Sequence, residues 1–128
     1  MIITFPWPHP HLSPNARKGW REVAKRKKSY RAGVGWEALQ AFIAAGRPQF
    51  VGPVNVSITF HPPDNIRRDL DNMLASIKAG LDAIAEITGC DDSRFRITIA
   101  KGEAVQFGRV HVDMRQAVES LEIRGQIS

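Results

Sequence analysis

Apolar and polar residues alternate along several short stretches of the chain, and these stretches predict its strands. The clearest runs from Val54 to Phe60, where every second residue is apolar and its neighbours are polar. A strict period of two is typical of a strand with one face buried. Similar patterns predict strands at residues 2–5 and 95–99, and a last strand at 105–114 with a bend at Gly108.

Apolar residues spaced three and four apart predict two main helices. The first is expected to begin near residue 16, with Ser13 or Asn15 as its cap, and Gly33 and Gly35 leave open whether it bends or ends before a second stretch at 36–45. The second is expected from about residue 72 to 88, with Gly89 as its stop. The residues expected to face the core are Trp20, Val23, Lys27, Tyr30, Val34, Leu39, Phe42 and Ile43 in the first helix, and Met73, Leu74, Ile77, Leu81, Ile84 and Ile87 in the second.

The order of these elements indicates one α+β domain spanning residues 1–128. We expect a small mixed or antiparallel sheet of three to four strands, packed against the two main helices. The last two strands are joined by a short connection, so we expect them to pair with each other in antiparallel fashion. A short helix is also expected at 117–121.

Composition narrows the class of protein. The chain has 128 residues, of which 43% are apolar, so it is long enough to bury a core. Its single cysteine, Cys90, excludes a disulfide framework. The chain contains no apolar run of about 18 residues and no signal peptide at its start, so a soluble cytoplasmic protein without a membrane partner is expected. No organic cofactor is indicated. The three tryptophans are expected in the core, although Trp7, which lies among prolines, is alternatively a stacking platform for a base.

Positive charge is concentrated in one segment. The net charge is +5, and residues 17–31 hold eight basic residues against Glu22 alone, which leaves ten basic and twelve acidic residues elsewhere. The eight are Arg17, Lys18, Arg21, Lys25, Arg26, Lys27, Lys28 and Arg31. A charge run is often only a solvated helix face, but one this lopsided favours contact with the phosphates of a nucleic acid.

Candidate chemistry begins at the segment Arg67-Arg68-Asp69-Leu70-Asp71-Asn72. If residues 68–71 are extended, Asp69 and Asp71 point the same way with Cα atoms roughly 6.6 Å apart, so that both can bind one hard cation. Oxygen ligands without a Cys or His cluster favour Mg²⁺, with Mn²⁺ as a substitute, over Zn²⁺. The alternative is structural, because Asp71 or Asn72 would also serve as the cap of the second helix.

Five other residues belong to this candidate site. Asp91 and Asp92 follow the second helix, either as a solvated turn or as a source of a third carboxylate. Lys78 lies about 20° from Asp71 around the helix, where it either covers the apolar stripe or balances charge on a phosphate. Arg67 and Arg68 either hold a DNA strand or neutralise the acids. Carboxylates that hold divalent ions beside a nucleic acid can promote phosphodiester hydrolysis.

Taken together, several motifs resemble the RusA-type Holliday-junction resolvases, a family common in phages and prophages. The motifs are Phe5-Pro6-Trp7-Pro8, Phe60-His61-Pro62-Pro63-Asp64, Arg67-Arg68-Asp69-Leu70-Asp71-Asn72, Lys78, Leu81-Asp82-Ala83 and Asp91-Asp92-Ser93. The resemblance implies a homodimeric endonuclease of DNA recombination and repair, which resolves four-way junctions by paired, Mg²⁺-dependent nicks.

The resemblance also implies roles for particular residues. Asp69 and Asp71 match the first two catalytic carboxylates, and Asp92 matches the third, with Asp91 in reserve. Lys78 lies about one turn further along the helix than the family's lysine, a spacing that keeps it on a similar face. Charge and position, and not the resemblance, indicate the DNA-binding residues, which are Arg17, Lys18, Arg21, Lys25, Lys27, Lys28, Arg31, Arg67 and Arg68. The alternatives are a flap or fork nuclease with the same metal chemistry, a junction-binding or DNA-binding protein without catalysis, and a less favoured RNA-binding module.

Overall fold

The computed structural model of the protein describes residues 1–118. Within them, four strands form one mixed sheet in the order β1-β4-β2-β3. The strands are β1 (Ile2–Phe5), β2 (Val54–His61), β3 (Phe95–Lys101) and β4 (Arg109–Gln116). β2 and β3 are parallel, whereas β4 is antiparallel to both of its neighbours, β1 and β2. The predicted α+β class with a small mixed sheet is confirmed; the helix expected at 117–121 extends outside the described residues.

The expected pairing of the last two strands is wrong. β4 lies between β1 and β2, where Val112 is opposite both Ile3 and Ile58. The apolar side chains of β4 are fully buried, whereas Ile97 of β3 is 40% exposed. β4 therefore lies inside the sheet and β3 at its edge, and the connection between β2 and β3 is long enough for these two strands to pair in parallel.

A loop replaces the first part of the predicted last strand. Backbone hydrogen bonds join Gly102 to Phe60 (2.8 Å) and Val105 to Pro62 (2.9 Å), so the loop is fixed against the end of β2. Phe107 and Gly108 adopt positive φ angles of 66° and 71°, which interrupt an extended strand. β4 therefore begins only at Arg109.

The first helix is longer and begins later than the sequence indicates. Helix α1 (Trp20–Ala44) continues through Gly33 and Gly35 without a break, and neither Ser13 nor Asn15 caps it because its N-cap is Gly19. Its middle packs closely on a later helix: a Cβ added at Gly80 would lie 3.1 Å from side-chain atoms of both Tyr30 and Val34. This packing explains why the glycines do not end the helix.

The core face of α1 is narrower than predicted. Val34 and Ala38 are buried, but Trp20, Trp36 and Ile43 are 74%, 62% and 48% exposed. At about 100° per residue, Trp36 and Ile43 point roughly opposite to Val34, and Trp20 is the first residue of the helix, away from its packed middle. The prediction of these three residues as core is therefore wrong, and so is that of Lys27, which is exposed.

The second predicted helix is two helices, α2 (Leu70–Ser76) and α3 (Lys78–Thr88). Ile77 separates them with φ −102° and ψ 7°, and its side chain is fully buried. The Ser76 hydroxyl donates to the Asn72 carbonyl at 2.8 Å, a bond that competes with helix continuation. Gly89 ends α3 in the left-handed conformation (φ 68°), as the sequence predicts.

The helices cover one face of the sheet. Along β2 the even-numbered residues from Val54 to Phe60 are buried, while their odd-numbered neighbours lie on the more exposed face. Among residues 1–118, no helix has the length and apolar character needed to cross a membrane. The segment that follows β2 leads to Asp69, and the segment between α3 and β3 contains Asp91 and Asp92, so two connections of this sheet supply the candidate acids.

Candidate active site

Asp69 is the N-cap of α2. Its backbone is extended (φ −83°, ψ 126°), and its Oδ1 accepts a hydrogen bond from the backbone N–H of Asp71 at 2.9 Å. The helix begins at Leu70, so the expectation that residues 68–71 are extended is wrong beyond Asp69, and so is the expected cap at Asp71 or Asn72. Both carboxylates remain exposed, and capping occupies only one oxygen of Asp69 among the described residues.

The two aspartates border different concavities. Asp69 lines a cleft of about 500 Å³ together with Arg67, Arg68 and Trp7, which we call the Arg68 cleft. Asp71 lines a second space of about 490 Å³, which we call the Asp71 cavity. The first turn of α2 therefore places one carboxylate in each concavity instead of presenting both on one face.

The Asp71 cavity also contains other residues predicted for the site. Lys78, Asp82 and Asp92 line it with Asp71, over an apolar floor that includes Phe95. A straight helix over residues 70–88 would keep its ends about 28 Å apart, whereas the break at Ile77 removes that constraint. The sequence pattern gave no sign of this break, because the apolar spacing continues across it.

Asp91 and Asp92 have different surroundings. Asp91 caps a short 3₁₀ turn (Asp92–Arg94), and its carboxylate accepts a hydrogen bond from the Ser93 N–H at 3.3 Å. This hydrogen bond holds the pKa of Asp91 below its usual range. Asp92, and not Asp91, lines the Asp71 cavity. The geometry thus brings together Asp71 and Asp92 of the predicted carboxylates and leaves Asp91 outside.

A divalent cation is the ligand that the sequence predicts for these acids. Within residues 1–118, no three Asp, Glu, His or Cys side chains form a group that could hold a metal ion by themselves. Asp71 and Asp92 nevertheless supply two exposed carboxylates to one cavity. Mg²⁺ usually binds to one or two carboxylates and keeps several waters or substrate phosphates, so this pair fits a hard cation that substrate would help to bind.

Arg68 is held in the Arg68 cleft by two groups. Its Nη1 donates to Asp64 Oδ1 at 2.7 Å, and its guanidinium carbon lies 5.4 Å from the centre of the Trp7 ring. Trp7 is half-buried with its edge against Phe60, so it is not the open stacking platform considered from the sequence. The sequence does not predict that Asp64 and Trp7 hold Arg68. The available signals are the four-residue spacing of Asp64 and Arg68 and the presence of both supporting residues in the motifs that resemble the RusA family.

Basic side chains cover the exposed side of α1 and the segment before it. Six remain exposed without an ion pair among the described residues: Arg17, Lys18, Arg21, Lys25, Lys27 and Lys28, which we call the α1 basic surface. Arg26 pairs with Glu22 at 3.4 Å, and Arg31 pairs with Glu86 at 2.5 Å. The hydrogen bond to Glu86 raises the pKa of Arg31, and a DNA phosphate would compete with Glu86 for this guanidinium.

The α1 basic surface reaches the candidate site. Lys27 lines a small pocket of about 170 Å³ with Lys78 and Asp82, and these last two also line the Asp71 cavity. Exposed carboxylates beside a concentrated basic surface are the combination that metal-assisted nucleases use.

Comparison with known proteins assigns the family. The family model for endodeoxyribonuclease RusA matches residues 8–115. The chain therefore belongs to the RusA family, which confirms the resemblance read from its motifs. It is also 37% identical over 100 residues to an uncharacterized protein of Xylella fastidiosa (strain Temecula1 / ATCC 700964). That match covers 73% of this chain but 61% of the relative, so the chain spans less than two thirds of the relative's length.

Proposed function

We propose that this chain is a Mg²⁺-dependent DNA endonuclease that resolves four-way junctions by paired nicks. The observation that carries the proposal is the Asp71 cavity, which Asp71, Asp92 and Lys78 line next to the α1 basic surface in a chain of the RusA family. Carboxylates for a metal, a cation for the phosphate and a surface for DNA are the parts that such hydrolysis requires.

Each side chain would contribute in its own way. Asp71 and Asp92 would hold the cation, and Asp69 would add negative charge from the adjoining cleft. When bound, Mg²⁺ supplies charge stabilisation at the phosphate and lowers the pKa of water. Lys78 begins α3 and is exposed, so its ammonium can balance charge on the non-bridging phosphate oxygens. Mn²⁺ would substitute because it accepts the same oxygen ligands.

DNA binding would depend on the α1 basic surface together with Arg67 and Arg68. Lysine and arginine that neutralise phosphates supply most of the affinity for any DNA, so selectivity for a junction must come from geometry. Two symmetric nicks require two active sites, and a two-fold homodimer supplies them. Branched DNA and a second copy of the chain are therefore the proposed partners, in recombination and repair.

The deciding experiment is cleavage of a synthetic four-way junction beside a linear duplex, with and without Mg²⁺. Wild type should nick the junction in symmetric pairs only with metal, and Asp71→Asn should bind but not cut. Asp92→Asn and Asp91→Asn form a matched pair, because both remove one charge from adjacent residues. We expect only Asp92→Asn to lose cleavage, since Asn at position 91 can still cap the 3₁₀ turn.

A junction-binding protein without catalysis is the second candidate. It is favoured by the lack, among residues 1–118, of a three-residue metal cluster. In that case wild type would bind junctions with strong salt dependence and would cut none of them in Mg²⁺ or Mn²⁺. Cutting of flaps or forks in preference to four-way junctions would instead identify a nuclease of different substrate geometry.

A further inference from the structure

The Arg68 side chain is held on one edge and lies over an aromatic ring, while its other edge has no hydrogen-bond partner within residues 1–118. Nη1 donates to Asp64 Oδ1 at 2.7 Å and to the Ile66 carbonyl at 3.1 Å. Among the described residues, every hydrogen bond that Arg68 donates comes from Nη1. The N–H groups of Nε and Nη2 therefore remain for a ligand in the Arg68 cleft.

The tether on Nη1 is itself fixed. Asp64 Oδ1 also accepts the backbone N–H of Ile66 at 3.0 Å, so the carboxylate that holds Arg68 is part of a local turn. The hydrogen bond from Arg68 holds the pKa of Asp64 below its usual range. The carboxylate is thus charged near neutral pH and can keep one edge of the guanidinium in place.

The aromatic face under Arg68 is fixed as well. The Trp7 ring meets Phe60 edge to face, with centroids 6.2 Å apart, and Phe60 is fully buried in the core. Gly108 approaches from the β4 side, where a Cβ atom would lie 2.7 Å from the Cβ of Trp7. Because Trp7 cannot shift easily, it limits where the Arg68 guanidinium, whose carbon lies 5.4 Å from the ring centre, can lie.

Only 22% of the Arg68 side chain is exposed, so the restrained guanidinium differs from an ordinary surface arginine. A planar guanidinium with one edge free can bind two oxygens of one phosphate. Asp69 lines the same cleft, so a phosphate held there would lie next to the acidic motif. If the pair of Arg68 and Asp64 were only a surface ion pair, it would contribute little to stability and would not need the support of an aromatic ring.

We propose that Asp64 and Trp7 are positioning residues that hold Arg68 so that its Nε–Nη2 edge binds a DNA phosphate in the Arg68 cleft. This proposal rests on the proposed function and adds residues that fix where the strand lies. Loss of either restraint leaves the charge of Arg68 but not its orientation. We therefore expect catalysis to suffer more than binding, because misplacement of a substrate by about 1 Å can reduce a rate 100-fold.

The kinetic test compares Asp64→Asn, Arg68→Ala and the double variant in single-turnover cleavage at saturating junction. Asp64→Asn keeps the size of the side chain, and we expect its rate to fall about tenfold while the junction Kd changes less than about twofold. In the Arg68→Ala background, Asp64→Asn should have no further effect. Multiplicative losses in the double variant, or a wild-type rate in Asp64→Asn, would overturn the proposal.

Two further variants separate positioning from general effects. Asp113→Asn removes one negative charge and an ion pair to Arg115 (3.0 Å) on β4, so it is the matched control, and its cleavage rate should stay at the wild-type value. Trp7→Phe keeps an aromatic face and should retain most of the rate, whereas Trp7→Leu should lose about as much as Asp64→Asn. Equal losses in Trp7→Phe and Trp7→Leu would contradict the stacking role.

A measurement without cleavage distinguishes this proposal from the proposed function. The Arg68 Nε–H resonance is followed by NMR while a four-way junction is added in the absence of divalent metal. We expect the signal to shift in the wild-type protein and to stay near its free position in Asp64→Asn. If wild type never cuts but this pattern holds, the nuclease proposal fails and the positioning proposal stands. If the wild-type signal does not move, the positioning proposal is wrong whatever the enzyme does.

Discussion

Replacing Asp69 tests two roles of one side chain. Asn and Ala both remove its negative charge, but only Asn keeps an oxygen that can accept the Asp71 N–H bond now 2.9 Å long. Loss of an N-cap costs about 1 kcal/mol, and loss of a negative charge at a helix N-terminus costs at most about 1 kcal/mol more. Asp69→Ala should therefore be about 1 kcal/mol less stable than Asp69→Asn.

The difference is measurable by thermal unfolding. For a chain of 128 residues, the usual entropy of unfolding converts about 1 kcal/mol into a Tm difference of about 4 °C. Cleavage of a four-way junction in Mg²⁺ should fall at least about 100-fold in both variants, if the carboxylate charge contributes to the reaction. Equal Tm values for Asn and Ala would refute the capping role. Wild-type cleavage by Asp69→Asn would remove this carboxylate from the proposed mechanism.

Three other predictions concern stability and DNA affinity. Burial raises the pKa of Tyr30 above its unfolded value of about 10, so the wild-type protein should lose stability as the pH rises above about 10. Tyr30→Phe should abolish this loss when thermal unfolding is compared at pH 8 and pH 11. Ile77 is fully buried, so Ile77→Ala should lower the free energy of unfolding by about 2–5 kcal/mol, seen as a lower urea midpoint with an unchanged m-value. Replacing Lys18, Lys25 and Lys28 with Gln should reduce the slope of log K against log salt by up to about 2.7, whereas an unchanged slope would exclude these lysines as phosphate contacts.

Strands with strict alternation could be predicted from the sequence because their pattern is local. Val54 to Phe60 forms a strand as predicted, and Gly89 ends a helix as predicted. Partner choice is not local: β3 and β4 are joined by a short loop, yet each pairs with β2. The outcome depends on how all the strands and helices pack together, and no single segment contains that information.

In the candidate site, too, the residue types could be predicted from the sequence, whereas their arrangement in space could not. The acidic motif, Lys78 and Asp92 were evident from residue types and from the family resemblance. Their distribution between the Arg68 cleft and the Asp71 cavity was not evident, because it follows from the cap at Asp69 and the break at Ile77. The support of Arg68 by Trp7 was also hidden, since these residues are 61 positions apart in the sequence and meet only through the fold.

The central position of β4 has a consequence for synthesis on the ribosome. Within the described residues, β1 pairs only with β4, which begins 104 positions after Phe5. At typical elongation rates of about 5–20 residues per second, β1 must wait roughly 5–20 s before its partner has been made. During that time α1 and the segment from β2 to β3 are already available. The sheet is therefore completed from its interior late in translation, when β4 enters between two strands that were synthesised long before it.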